Sequence, residues 1–152
     1  MRRKEKEIRD KKEIEEIIGR ALVCRIAVSD NNNPYVFPVC FGYKDNCLYL
    51  HSAPEGRKIE ILKKNNKVCF AIDIDTELVE SDRGCDWGIK YLSVIGFGRA
   101  LFVEKPDEEK EALSIIMKHY SGKDYQFPEN SLKKVKIIKI EIESMTGKKS
   151  GY

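Results

Sequence analysis

Between residues 22 and 51 the chain is a series of short β-forming runs cut by turn signals, and this punctuation constrains the fold more than any other feature. Leu22 to Ser29 is rich in β-formers, Asp30-Asn31-Asn32-Asn33-Pro34 is a turn, and Tyr35 to Tyr43 is a second run. Asp45-Asn46 forms another turn before a third run, Cys47 to His51. Asn, Asp and Pro each suit turn geometry, and the short spacer between the second and third runs predicts a hairpin.

The rest of the chain extends this pattern. Lys67 to Asp75 reads as a strand, and Ile89 to Glu104 as one bent strand or two, interrupted by Gly96 and Gly98. Glycine inside a strand marks a bulge or the close approach of another group. Val135 to Glu143 alternates Val/Ile with Lys/Glu, as a half-solvated strand does. Helices are expected at 11–20, after the capping-box pattern Asp10-Lys11-Lys12-Glu13, at 55–65, and from Pro106 to Ser121. Thr76 to Gly88 reads as a polar loop and Met145 to Tyr152 as a loose tail. About six strands with flanking helices predict a mainly β, α+β chain, a small antiparallel barrel forming one domain over 1–152.

Composition supports a packed core. Hydrophobic residues make up 41% of the 152 positions and charged residues 35%, too apolar for disorder. No run of about 18 apolar residues exists to cross a membrane. The opening Met1-Arg2-Arg3-Lys4-Glu5-Lys6-Glu7 leads into no apolar stretch, so no secretory signal is expected and the location expected is cytoplasmic. In that reducing setting Cys24, Cys40, Cys47, Cys69 and Cys85 are expected as free thiols, four of them buried in apolar runs and Cys85 in a polar loop. Without a Cys-x-x-Cys pair, and with His51 and His119 far apart, no metal site is expected. Net charge is +3, with cations in excess at both ends, yet no aromatic–basic motif points to nucleic acid.

Two segments stand out for chemistry. In His51-Ser52-Ala53-Pro54-Glu55-Gly56-Arg57-Lys58 a strand meets a helix whose first turn carries two cations. Cations there oppose the helix dipole unless an anion sits among them. Free N–H groups, a serine hydroxyl and a guanidinium fork form a phosphate cradle. The same residues also fit a solvated helix start with snorkelling side chains. The second segment, Pro34 to Tyr43, holds Pro38 inside a β run, which places that strand at an edge or a bulge. Its unpaired main-chain groups suit the rim of a flat heterocycle, or simply an edge. Trp87, in a polar stretch, suits stacking on a ligand or partner subunit equally with a lid over the core. His119 reads as a benign cation near a helix end. Gly96-Phe97-Gly98 lacks the third glycine and the following helix of a dinucleotide loop. No nucleophile elbow or Walker motif occurs.

The order of these motifs is similar to that of the pyridoxamine 5′-phosphate oxidase-like FMN-binding proteins. The residues that carry the likeness are Arg25-Ile26-Ala27-Val28, Pro34-Tyr35-Val36-Phe37-Pro38-Val39, Leu48 to Lys58, and Tyr91 to Ala100. The chain most resembles the branch of 5-nitroimidazole reductases, the Nim proteins, over residues from about 8 to about 147. The resemblance implies a split β-barrel and a homodimer with FMN in each of two clefts between subunits. It assigns the phosphate to Ser52, Arg57 and Lys58, and the flavin ring to main-chain groups of Val36, Phe37, Pro38 and Val39. His51 is implied beside the flavin as the catalytic residue, with Trp87, Lys90 and Ser93 approaching from the neighbouring subunit. A C-terminal pyridoxal-phosphate pattern is not evident in Thr146 to Tyr152, which argues against vitamin B6 oxidation.

The activity expected from the likeness is FMN-dependent oxidoreduction. Electrons from NAD(P)H or another donor would reach a small oxidised substrate such as a nitroimidazole or other nitroaromatic through the flavin. The alternative is a flavin- or haem-binding carrier or sensor without fast turnover, and a third reading is a structural dimer with an empty cleft.

Overall fold

The computed structural model describes residues 4–152. Met1, Arg2 and Arg3, part of the opening segment used to exclude a secretory signal, lie outside the described residues. The chain forms β1 (Glu7–Ile8), α1 (Lys11–Arg20), β2 (Cys24–Asp30), β3 (Asn33–Val39), β4 (Phe41–Lys44) and β5 (Cys47–Ser52). It continues through α2 (Arg57–Lys64), β6 (Lys67–Val79), β7 (Gly88–Val103), α3 (Pro106–Ser121), α4 (Glu129–Leu132) and β8 (Lys136–Ser150). All the strand pairings are antiparallel, and the sheet runs in the order β3-β2-β6-β7-β8-β5-β4, with β1 added to β8. Its two end strands, β3 and β4, follow one another in sequence but do not pair, so the barrel stays split.

The split arises at Cys40. The expected single strand Tyr35 to Tyr43 divides there, β3 pairing with β2 and β4 with β5. The amide of Phe41 leaves the ladder and donates to Tyr120 Oη at 2.9 Å. Tyr120 in turn donates to Leu22 O at 2.9 Å, and His119 Nε2 lies 2.7 Å from Ala21 O. The His119 ring also sits 4.5 Å from that of Phe41. His119 is therefore no idle cation: the last turn of α3 clasps the α1–β2 link and the start of β4. Gly42 makes this approach possible, because a Cβ there would lie 2.7 Å from the backbone of Ile115. As Pro38 suggested, β3 is an edge strand.

Alternation fills the interior. Phe41, Leu50, Ile138 and Phe102 oppose one another across β4, β5, β8 and β7, with Leu48, Ile140 and Ala100 in the adjacent row. Most of these are fully buried in a core completed by Ile14, Ile17 and Ile18 of α1 and Ile59, Ile61 and Leu62 of α2. Asp10 caps α1 by accepting from the Lys12 amide at 3.0 Å. On the opposite face of the sheet, Ile137 and Val103 pack with Ala112 under α3.

Three expectations change. The strands among the described residues number eight rather than about six. The loop expected at 76–88 is partly strand: β6 runs to Val79 beyond an irregularity at Ile74/Glu77 and forms an arm with the start of β7. The tail expected at 145–152 is strand to Ser150, since Tyr91 pairs with Ser150 and Val94 with Gly147 while β1 lies on the other side. Neighbours on both sides fix this segment, so its own apolar alternation is not needed. The glycines of β7 behave as expected. The strand is continuous and shifts register between Phe97 and Gly98, while Gly96 makes room for the Phe70 ring. No helix among the described residues is long and apolar enough to cross a membrane.

Gly42→Ala is expected to destabilise the protein by ~1–3 kcal/mol, because two backbones must separate. A urea midpoint equal to that of the parent would show that α3 does not press on β4 here.

Candidate functional site

The strand-to-helix corner after β5 is the most chemically unusual place in the molecule. β5 ends with His51 and Ser52, whose backbones pair with Ile137 and Lys136 of β8. Alternation sends the two side chains to opposite faces. His51 is exposed and Ser52 is only 6% exposed. The Ser52 hydroxyl is buried without a hydrogen-bond partner, the one such side-chain atom among the described residues. A buried hydroxyl normally finds a partner, and leaving one without costs ~1–3 kcal/mol.

The chain then turns through Gly56, whose φ of 122° suits glycine, into α2. No side chain caps this helix, so its first N–H groups remain free. Arg57 and Lys58 stand in that first turn. The Arg57 guanidinium lies 4.7 Å from the centre of the Tyr35 ring, and Lys58 Nζ 5.0 Å from that of Phe37. Among the described residues neither pairs with a carboxylate. Stacking on aromatic faces orients a cation without neutralising it. Together these groups form a positive corner with donors in place, suited to a phosphate ester.

The edge strand β3 completes the corner. It bonds only to β2, so that alternate residues of the run Val36, Phe37, Pro38 and Val39 turn their main-chain groups to a free edge. Val36 and Pro38 point outward, while Phe37 is buried beneath Lys58. The structure thus brings Val36 to Val39 together with Arg57 and Lys58, five residues beyond Ser52. Tyr35 was missed in the sequence. Its signal was the Tyr35/Phe37 pair, two aromatics on one face of a strand, ahead of two adjacent cations.

Trp87, Lys90 and Ser93 lie elsewhere. They belong to the β6–β7 arm and the start of β7, with β2 and β6 between them and β3 in the sheet. Trp87 is 49% exposed and donates from Nε1 to Ser81 O, so it props the arm and does not cover the core. Lys90 Nζ is 3.4 Å from Glu77 and 5.9 Å from the centre of the Tyr152 ring. Tyr152 Oη donates to Asp75 O at 2.6 Å, and Arg20 holds both Asp75 carboxylate oxygens at 2.7 Å. This brace fixes the root of the arm, and a tail read as loose gave no sign of it.

The thiols divide differently from expectation. Cys24 is buried, and burial pushes its pKa up to about 12. Cys47 and Cys69 are half-buried, and Cys40, at the β3–β4 break, is exposed along with Cys85. No group of His, Cys, Asp and Glu among the described residues could hold a metal ion.

The sequence profile of the family described as Pyridoxamine 5′-phosphate oxidase matches residues 10–149. A candidate 5-nitroimidazole antibiotic resistance protein from Bacteroides thetaiotaomicron is 39% identical over 93% of this chain and 85% of its own, with a TM-score of 0.84. The FAD- and haem-binding protein of Mycobacterium smegmatis shares the fold at 14% identity and TM-score 0.86, covering 97% of this chain and 74% of that one. An FAD-binding protein from Mesorhizobium loti shares it at 24% identity and TM-score 0.69, covering 94% and 96%. No curated protein matches the chain.

Ser52→Ala is expected to stabilise the ligand-free protein by up to ~1–3 kcal/mol, because it removes the cost of burying a hydroxyl without a partner. A loss above about 1 kcal/mol in thermal unfolding would give Ser52 a structural role instead.

Proposed function

The chain belongs to the pyridoxamine 5′-phosphate oxidase family, and from that premise we propose that it is an FMN-dependent oxidoreductase acting on a small oxidised substrate such as a nitroimidazole or other nitroaromatic. The observation that carries this reading is the partnerless Ser52 hydroxyl at the end of β5, followed five and six residues on by two cations, Arg57 and Lys58, that lie over aromatic rings and pair with no carboxylate among the described residues. A phosphate monoester satisfies all of them at once. The substrate class is supported by the 39% identity to the candidate 5-nitroimidazole resistance protein.

In this reading Ser52 Oγ donates to a phosphate oxygen, the Arg57 fork takes two more, and the free N–H groups of the first turn of α2 complete the shell. Lys58 adds charge without a fixed geometry. Main-chain groups of Val36 to Val39 meet the rim of the flavin ring, Pro38 contributing a carbonyl alone, and an N–H turned to that edge favours a ring that has gained negative charge. The bound flavin supplies the electron transfer between NAD(P)H, or another donor, and the substrate. The exposed imidazole of His51 holds or gives a proton to the substrate.

The site is complete only in a homodimer on this reading. Val36, Ala27, Cys69 and Phe97 oppose one another across β3, β2, β6 and β7, forming a flat row on the outer face of the sheet. Val36 and Phe97 are more than half exposed, and Ile95 and Leu101 extend the surface along β7. An apolar face of this extent suits a second copy of the chain. The arm of that copy would bring Trp87, Lys90 and Ser93 to the flavin.

Protein purified with FMN is expected to be yellow, to bleach anaerobically with NAD(P)H and to regain colour with a nitroimidazole. A Soret band would point to a haem carrier instead. Arg57→Glu is expected to lower FMN affinity at least about a hundredfold while circular dichroism and melting stay unchanged, since a fork is lost and a repelling charge gained. Unchanged FMN binding by this variant would overturn the phosphate assignment.

A further inference from the structure

Away from the cradle, β7, β8 and β1 bring together a second group of cations. Tyr91 faces Ser150 across β7 and β8, and Ser93 faces Lys148, so these four side chains share one face of the sheet. All four are half-buried. Lys148 Nζ donates to Tyr91 Oη and lies 5.1 Å from the centre of that ring. Lys6, just before β1, donates from Nζ to Ser150 Oγ at 2.8 Å. Among the described residues neither lysine pairs with a carboxylate. Glu7, which faces Lys148 from β1, is held by Arg9 at 2.9 Å.

The direction of these bonds decides what the group can bind. An ammonium only donates, so each hydroxyl oxygen accepts from its lysine and keeps its own proton free. Neither proton meets an acceptor among the described residues. Tyr91 and Ser150 are directly paired, and in an antiparallel ladder such residues have Cβ atoms about 5 Å apart. Two neighbouring O–H donors suit the two oxygens of a carboxylate, and the two ammonium groups supply the opposite charge. Arg9 offsets Glu7, so the patch stays positive.

We infer that this patch binds a carboxylate of the electron-accepting substrate, so that the acceptor is an anionic aromatic rather than a neutral one. The inference rests on the flavin and dimer readings above. The same face continues along β7 to Ile95 and Phe97, on the apolar surface assigned to the second copy. Ser93, opposite Lys148, is among the residues that the dimer carries to the other copy's flavin. A substrate lying on that flavin then has its carboxylate at Tyr91 and Ser150 and its oxidised group at the ring. Lys6 and Lys148 set specificity and take no part in electron transfer.

Isothermal titration of the FMN-loaded protein, in which the cradle is already occupied, with para-nitrobenzoate and with the neutral para-nitrobenzyl alcohol reads the charge preference directly. The benzoate is expected to bind at least about tenfold tighter, which is what a hydrogen bond to a charged group contributes. Lys148→Met is expected to bring the ratio of the two affinities close to one. Tyr91→Phe keeps the ring beside Lys148 and removes only the hydroxyl. It is expected to lower the ratio severalfold at an unchanged melting temperature. Equal binding of the two ligands by the parent overturns the inference while the flavin reading stands. A preference for the benzoate that survives in both variants also overturns it, because the charge is then read elsewhere. If the protein takes up no FMN, the flavin reading fails and the inference falls with it.

Discussion

The pairing of β7 with β8 is the constraint on which the rest of the structure depends. β7 is sixteen residues long and lies between β6 and β8, while β8 also holds β5 and β1. Through β8 the end of β5 is fixed, since Ser52 faces Lys136 and His51 faces Ile137. Through β6 the same ladder carries β2 and then the edge strand β3. A long antiparallel ladder has little freedom to slip, because a one-residue shift would turn Ile138, Ile140 and Ile142 out of the core. The corner after β5 and the edge of β3 are thus held at opposite ends of one rigid path, and α2 closes the distance between them.

That closure explains why the positive corner exists at all. Ile59, Ile61 and Leu62 bury one face of α2 in the core, which fixes the direction from which its first turn emerges. Arg57 and Lys58 are then laid over Tyr35 and Phe37. The fold tolerates two unneutralised cations and a buried partnerless hydroxyl at one point because apolar burial elsewhere supplies the stability. Such local conflicts with good packing are expected where a chain binds something.

Much of this was legible in the sequence. Strong apolar periodicity placed α1, β5, α2 and α3 within a residue or two, and Pro38 marked its strand as an edge because a proline lacks the amide a central strand needs. Ser52, Arg57 and Lys58 stood out because cations at a helix start conflict with the dipole. Features fixed by long-range partners were not legible. The break at Cys40 depends on Tyr120, seventy-nine residues on from Phe41. The strand at 145–150 depends on β7 and β1, and its own residues lack the alternation that would announce it.

By itself, the sequence determined which segments are strands or helices wherever their own period carried the signal, and which residue types could grip an anion. Periodicity and residue chemistry are local properties, written in consecutive positions. Only the tertiary structure decided where the barrel splits, and that His51 and Ser52 face opposite ways with only Ser52 buried. These outcomes depend on contacts between residues far apart in the chain, and such contacts exist only once the ladder has closed.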